Sequence, residues 1–145
     1  MRVWCLDAER ETLSISRGTV VMAGLGTGTI VRIIENLFPE NVPAEVRIVL
    51  ASTFSGERLR LGLLRLGWRL QHEELYPENG HVRQILACGT EGEIIHPFWN
   101  RSSISAENGL LDEFLKERRQ YFSVCQSLMP DLLYLKKSLI AKFGI

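Results

Sequence analysis

The sequence has few cysteines and no spacing that would pair them. Cys5, Cys88 and Cys125 are odd in number and scattered, with no CxxC. That pattern excludes a disulfide frame and a zinc site and reads as reduced thiols in a cytoplasmic protein. Each sits among apolar neighbours, so packing is the expected role. There is no excess of charge of either sign: Lys plus Arg is 17 and Asp plus Glu is 17. Strong non-specific binding to nucleic acid rests on a basic excess, so any such contact here must come from a local patch. Long apolar runs are missing too. No segment approaches the roughly 20 residues that span a bilayer, and the N-terminus MRVWCLDAERE has no signal-peptide core. His72, His81 and His96 lack metal-ligand spacing, so no metal is expected. Internal repeats and low-complexity tracts are also lacking.

What is present is enough apolar residue for one core, 46% of 145 residues. Arg2 to Leu6 reads as a short strand. Thr19 to Ala23 is a β-branched apolar run, the mark of a buried strand. Gly24 to Gly28 is a turn. From Thr29, Ile30, Ile33, Ile34, Leu37 and Phe38 follow helical spacing, and Pro39 and Pro43 close the helix. Val46 to Leu50 is a second buried strand. Ser55 is a candidate N-cap for a helix over Gly56 to Leu66, with Gly67 as its left-handed stop. Trp68 to Tyr76 and Val82 to Cys88 are strands joined by the turn PENG, Pro77 to Gly80, a strong hairpin signal. Ile94 to Asn108 is a connector. Leu110, Leu111, Phe114, Leu115, Tyr121, Phe122 and Cys125 form a helical stripe. Pro130 breaks it, and Asp131 caps a last helix with Leu132, Leu135, Leu139 and Phe143 inward, so the two helices are expected to pack as an antiparallel hairpin.

The order β-α-β-α-β-β then α-α predicts an α/β fold with a mainly parallel sheet holding one antiparallel strand, followed by the helical hairpin. The expected division is 1–93 for a partial Rossmann-like α/β part and 94–145 for connector and hairpin.

The stretch VVMAGLGTGTIVRIIENLF, Val20 to Phe38, poses the functional question. Glycines permit positive φ and close approach of a ligand to the backbone. The helix start behind them offers free N–H groups to an anion. The spacing is G-x-G-x-G, and a dinucleotide site would add a carboxylate at the end of the next strand. That strand ends Leu50, Ala51, Ser52, Thr53. There is no Gly-Lys-Ser/Thr, so the turn is no P-loop. Three readings stand: a tight structural turn, a contact to adenosine and methionine, or a site for another anion.

Glu73, Glu74 and Glu78 read as a solvated strand edge, because neighbours on a strand point to opposite faces and cannot form a catalytic pair. Arg58, Arg60, Arg65 and Arg69 form the densest basic group. Arg58 and Arg65 share a helix face, and Arg60 lies elsewhere on the wheel. Lys116, Arg118 and Arg119 form a second group. Either is a solvated helix side or a set of phosphate contacts. Phe98, Trp99 and Tyr76 read as packing aromatics that could also stack on bases.

These residues carry a family resemblance. AGLGTGTIVRIIE, Ala23 to Glu35, resembles the loop and helix of the bacterial tRNA adenine methyltransferases of the TrmK type. LRLGLLRLGWRLQHEELYPENGHVRQILACGTEGE, Leu59 to Glu93, resembles that family's next segment, an arginine-bearing helix, an acidic strand, a turn and a closing strand. LLDEFLKERRQYF, Leu110 to Phe122, and the last helix resemble its C-terminal hairpin. VWCLDA, Val3 to Ala8, resembles a later LGDG-like stretch, with Leu6 and Ala8 in place of its glycines. LAST, Leu50 to Thr53, stands where the family has an LQPN-like strand end.

The resemblance implies a Rossmann-like fold and transfer of a methyl group from S-adenosylmethionine to an adenine nitrogen of tRNA. It implies that Asp7, Ala23, Gly24, Leu25 and Gly26 line the cofactor. RNA phosphates would meet Arg58, Arg65, Lys116, Arg118 and Arg119. It assigns no catalytic residue. It covers the second part of such an enzyme, without the first glycine loop and the ribose-binding acid. The expectation is therefore a truncated or degenerate methyltransferase, with a non-catalytic binding or assembly module as the alternative. A sheet lacking that first part leaves Thr19 to Ala23 at an edge, an association hazard. Arg2 to Leu6, a second copy in a homodimer, or a missing N-terminal half would cover it.

Overall fold

The structure is a computed structural model and describes residues 7, 8, 10, 13–52, 56–97, 100 and 109–125. The strand expected at Arg2 to Leu6, the cap Ser55, the aromatics Phe98 and Trp99, and the helix after Pro130 lie outside the described residues.

The element order is β1 (Arg17–Leu25), α1 (Thr27–Leu37), β2 (Glu45–Ser52), α2 (Gly56–Arg65), β3 (Arg69–Glu78), β4 (His81–Gly89), β5 (Glu93–Ile94) and α3 (Leu110–Cys125). Periodicity accounts for most of it. In α1, Ile30, Ile33, Ile34 and Leu37 fall on one stripe and are the buried residues, with Thr27 at its start. The helix ends at Phe38, just before Pro39, whose ring disfavours helical backbone in the residue preceding it. α2 buries Leu59 and Leu63 and ends at Gly67, which adopts φ 80°. Asn79 and Gly80 take φ 50° and 74° between Glu78 and His81, a two-residue turn whose twist suits the hairpin.

The strand order is β1-β2-β4-β3-β5. β1 and β2 are parallel, as a crossover through α1 requires. The expectation of a mainly parallel sheet is corrected: β2–β4, β4–β3 and β3–β5 are all antiparallel. The reason lies in the hairpin. β4 folds back inside β3 and inserts between it and β2. One reversed strand in the interior converts both of its interfaces.

Strand register defines the two faces. Val20, Ile48, Cys88 and Leu70 form one cross-strand row, and Met22, Leu50, Leu86 and Glu73 the next. This face carries the main core, which takes in Ile30, Ile33, Ile34 and Leu37 from α1 and Leu59 and Leu63 from α2. Trp68 closes its end, edge-on to Phe38 at 5.4 Å between ring centroids. A smaller cluster of Leu75, Val82 and Phe114 seats α3. The opposite face carries the row Val21, Val49, Ala87 and His72. In this row Val21 is 67% exposed and His72 is exposed, whereas Val49 and Ala87 are half-buried.

Candidate functional site: the carboxyl edge of the parallel strands

β1 and β2 end side by side, with Leu25 in register with Ser52. In open α/β sheets ligands bind outside such carboxyl ends. The glycine corner lies there. Gly24 has φ 72°, a backbone that β-carbon-bearing residues rarely adopt. The register of β1 against β2 shifts between Ala23 and Leu25, so the strand ends in an irregular turn. Gly26 is the N-cap of α1 and, being glycine, offers no side-chain cap. The Ile30 N–H is satisfied by the Gly26 carbonyl at 3.0 Å. The N–H groups ahead of it are the ones a helix start leaves without intrahelical partners. A β-carbon built at Gly24, Gly26 or Gly28 would meet no atom within 4 Å, so the corner is open space. Ala23, Gly24, Leu25 and Gly26 are thus brought together in one accessible turn.

Asp7 is not brought to this turn. Its neighbour Ala8 accepts a hydrogen bond from Asn36 Nδ2 at 3.2 Å. Asn36 is in the last turn of α1, about 14 Å along the axis from Thr27 at 1.5 Å per residue. Asp7 itself faces Arg10 at 3.4 Å. β2 reaches the edge as Leu50, Ala51, Ser52, and the first turn of α1 holds no acidic residue.

Next to Ser52 a shallow cleft opens between β4, α2 and α3, lined by Ser52, Gly56, Val82, Arg83, Gln84, Phe114 and Arg118. Arg118 reaches it from α3, with its guanidinium 5.2 Å from the Phe114 ring centroid and Nη1 3.4 Å from Glu57 Oε1. Its Nη2 also lies 3.9 Å from Glu117 Oε2. Of the other basic candidates, Arg58, Arg65, Lys116 and Arg119 are exposed on α2 and α3.

Behind the cleft lies a polar node that the sequence reading missed. Arg60 and Glu73, 0% and 1% exposed, are both inside the protein. Arg60 Nη1 donates to Glu73 Oε1 at 2.7 Å, Nη2 to Asn100 Oδ1 at 2.6 Å and Nε to the His96 carbonyl at 2.5 Å. Gln84 Nε2 donates to Glu73 Oε1 at 2.8 Å, and the Asn100 N–H to Glu73 Oε2 at 3.1 Å. Asn100 Nδ2 donates to Glu93 Oε2 at 3.0 Å and the Ile94 carbonyl at 2.8 Å. The node ties α2, β3, β4 and the connector together. Glu73 is thus not on the solvated edge expected for it. The register shift between Leu70 and His72 turns it to the covered face. A signal existed: Glu73 has the parity of Leu75, a core residue of the same strand.

Burial pushes the Arg60 guanidinium below its ordinary value, while Glu73 opposes that shift. Burial also pushes the Cys88 thiol up to about 12, against the pull of Arg60. A thiol so protonated is no nucleophile at neutral pH. Among the described residues no three His, Cys, Asp or Glu side chains converge as metal ligands, and no helix is long and apolar enough to cross a membrane.

Residues 8–86 match the family described as a methyltransferase domain. No curated protein sequence matches the chain. Among solved structures, the chain is similar to the B. subtilis m1A22 tRNA methyltransferase TrmK, with 21% identity, a TM-score of 0.55, and coverage of 79% of this chain and 52% of that one. It is similar to M. capricolum TrmK in complex with S-adenosyl-homocysteine, with 17% identity, a TM-score of 0.58, and coverage of 84% and 55%. A protein of the NADB-Rossmann superfamily from Streptococcus agalactiae gives 15% identity, a TM-score of 0.57, and coverage of 85% and 55%. The chain spans about half the length of these structures.

Proposed function

The chain belongs to the methyltransferase domain family, and from that premise we propose that its glycine corner holds S-adenosylmethionine for methyl transfer to an adenine of tRNA. The observation that carries this reading is the open turn at the shared carboxyl edge of β1 and β2, with Gly24 at φ 72° and the N-terminus of α1 behind it. The donor chemistry fits. The N–H groups at the start of α1 suit the cofactor's carboxylate. At Gly24 and Gly26 the backbone lets a flat adenosine approach closely. When bound, the cofactor supplies an activated methyl group. The solved neighbours named as tRNA methyltransferases support RNA as the substrate class.

The exposed Arg58, Arg65, Lys116 and Arg119 then serve as phosphate contacts, and Arg118 contributes through the cleft beside Ser52. Their part is to hold and orient the RNA, since chemistry on a base requires its exposure from the stack.

A second reading has its own observation. The first turn of α1 and the end of β2 carry no acidic residue, and Ala8, next to Asp7, docks on the last turn of α1. This favours a module that keeps the fold and a nucleic-acid surface without completing the reaction. Calorimetric titration with S-adenosyl-homocysteine separates the two. Micromolar binding supports the cofactor reading, and tRNA methylation assays follow. No heat at millimolar ligand overturns it in favour of the binding module.

A further inference from the structure

We infer that β1 is a self-association strand: two copies pair their β1 strands antiparallel across a two-fold axis centred on Val21. β1 ends the strand order, with β2 on one side only. At the far end β5 covers only Arg69 and Leu70 of β3, and the rest of that edge carries Glu74, Pro77 and Glu78, which guard it against pairing. Natural edges are blunted by lysine, proline, inward charge, bulges or very short length, and the one register shift of β1 against β2 falls after Ala23, at its end. β1 has nine residues, and its sole charge is Arg17 at the start.

The strand is also self-complementary. A two-fold axis at Val21 sets Val21 against itself, Val20 against Met22 and Thr19 against Ala23. No like charges face one another, and a β-branched pair sits at the centre. On the face opposite the main core, the row Ala87–Val49–Val21 stops at this edge with Val21 67% exposed. Across the axis it continues as the same three residues in reverse order. One apolar row then crosses both sheets. The formal net charge of zero adds no repulsion between copies.

The same register brings the partner's Arg17 to the Gly24 end of β1, where a guanidinium would face an anion held at the corner. This last point rests on the cofactor reading, whereas the dimer does not.

The test is sedimentation velocity of the purified chain from 1 to 100 μM without ligand, beside Val21→Lys and Val21→Thr. Val21 is exposed, so both variants keep the fold, which circular dichroism checks. The expected result is a dimer for the parent and Val21→Thr, and at least a tenfold weaker dimer for Val21→Lys. A parent that is monomeric at 100 μM overturns the inference and places the cover of this edge within the chain or in another polypeptide. A dimer that Val21→Lys leaves intact overturns it as well. Either result can be read whatever the calorimetry gives.

Discussion

Arg60 reaches Glu73 across the interior with three of its nitrogens engaged. Removing one partner of such a pair leaves a buried charge uncompensated, which costs about 3–5 kcal/mol. Domains of this kind hold about 5–15 kcal/mol in total. Glu73→Ala is expected to lose that much in urea denaturation, whereas the double variant Arg60→Leu/Glu73→Leu should lose much less. A Glu73→Ala midpoint close to the parent's would mean that water already reaches the node. The pair was half legible in the sequence. Arg60 was read off the face of Arg58 and Arg65, which is where it is. Glu73 was grouped with Glu74 at a wet edge, although neighbouring residues of a strand cannot share a face. Asn100 carried no signal, because a connector's hydrogen bonds are set by what folds against it. The corner itself was legible, since glycine spacing after a β-branched run points to a turn. The separation of Asp7 from it was not, because nothing local in Val3 to Ala8 tells where the segment runs.

Packing between elements turns on a residue with no side chain. A β-carbon at Gly62 of α2 would fall 2.6 Å from Val31 Cγ2 of α1. α1 and α2 pack at this point, and valine is stiff there, with one dominant helical rotamer. Gly62→Val is therefore expected to destabilise by about 1–3 kcal/mol through overpacking. Val31→Ala in the same chain should restore part of the loss, read as non-additivity in thermal melts. Additive effects would show that the helices do not touch here. The extents of α1, α2, α3 and the hairpin all followed from apolar period and turn chemistry, and each lies within a few residues of expectation. Strand order did not follow. Alternating β and α elements imply parallel pairing, but a hairpin can lie with either strand inward, and only tertiary packing chooses β4.

The whole molecule is electrically balanced, so its attraction to RNA depends on where its cations lie. Arg118 is engaged with Glu57, and Arg58, Arg65, Lys116 and Arg119 are exposed. Contacts to four phosphates give a slope of log affinity on log salt of about −3 to −4. Fluorescence anisotropy with tRNA between 50 and 200 mM salt is expected to give that slope, and Lys116→Ala should lower it by about one. A flat salt profile would remove these helices from the RNA surface. Finally, the turn at Asn79 and Gly80 says something about how the molecule is assembled in time. β3 and β4 meet across two residues, so their pairing needs almost no chain search and belongs to the ~1–10 μs events. β1–β2 and β2–β4 close much longer loops and come more slowly. The half of the sheet that bears the glycine corner is thus laid onto a hairpin already formed at the other side.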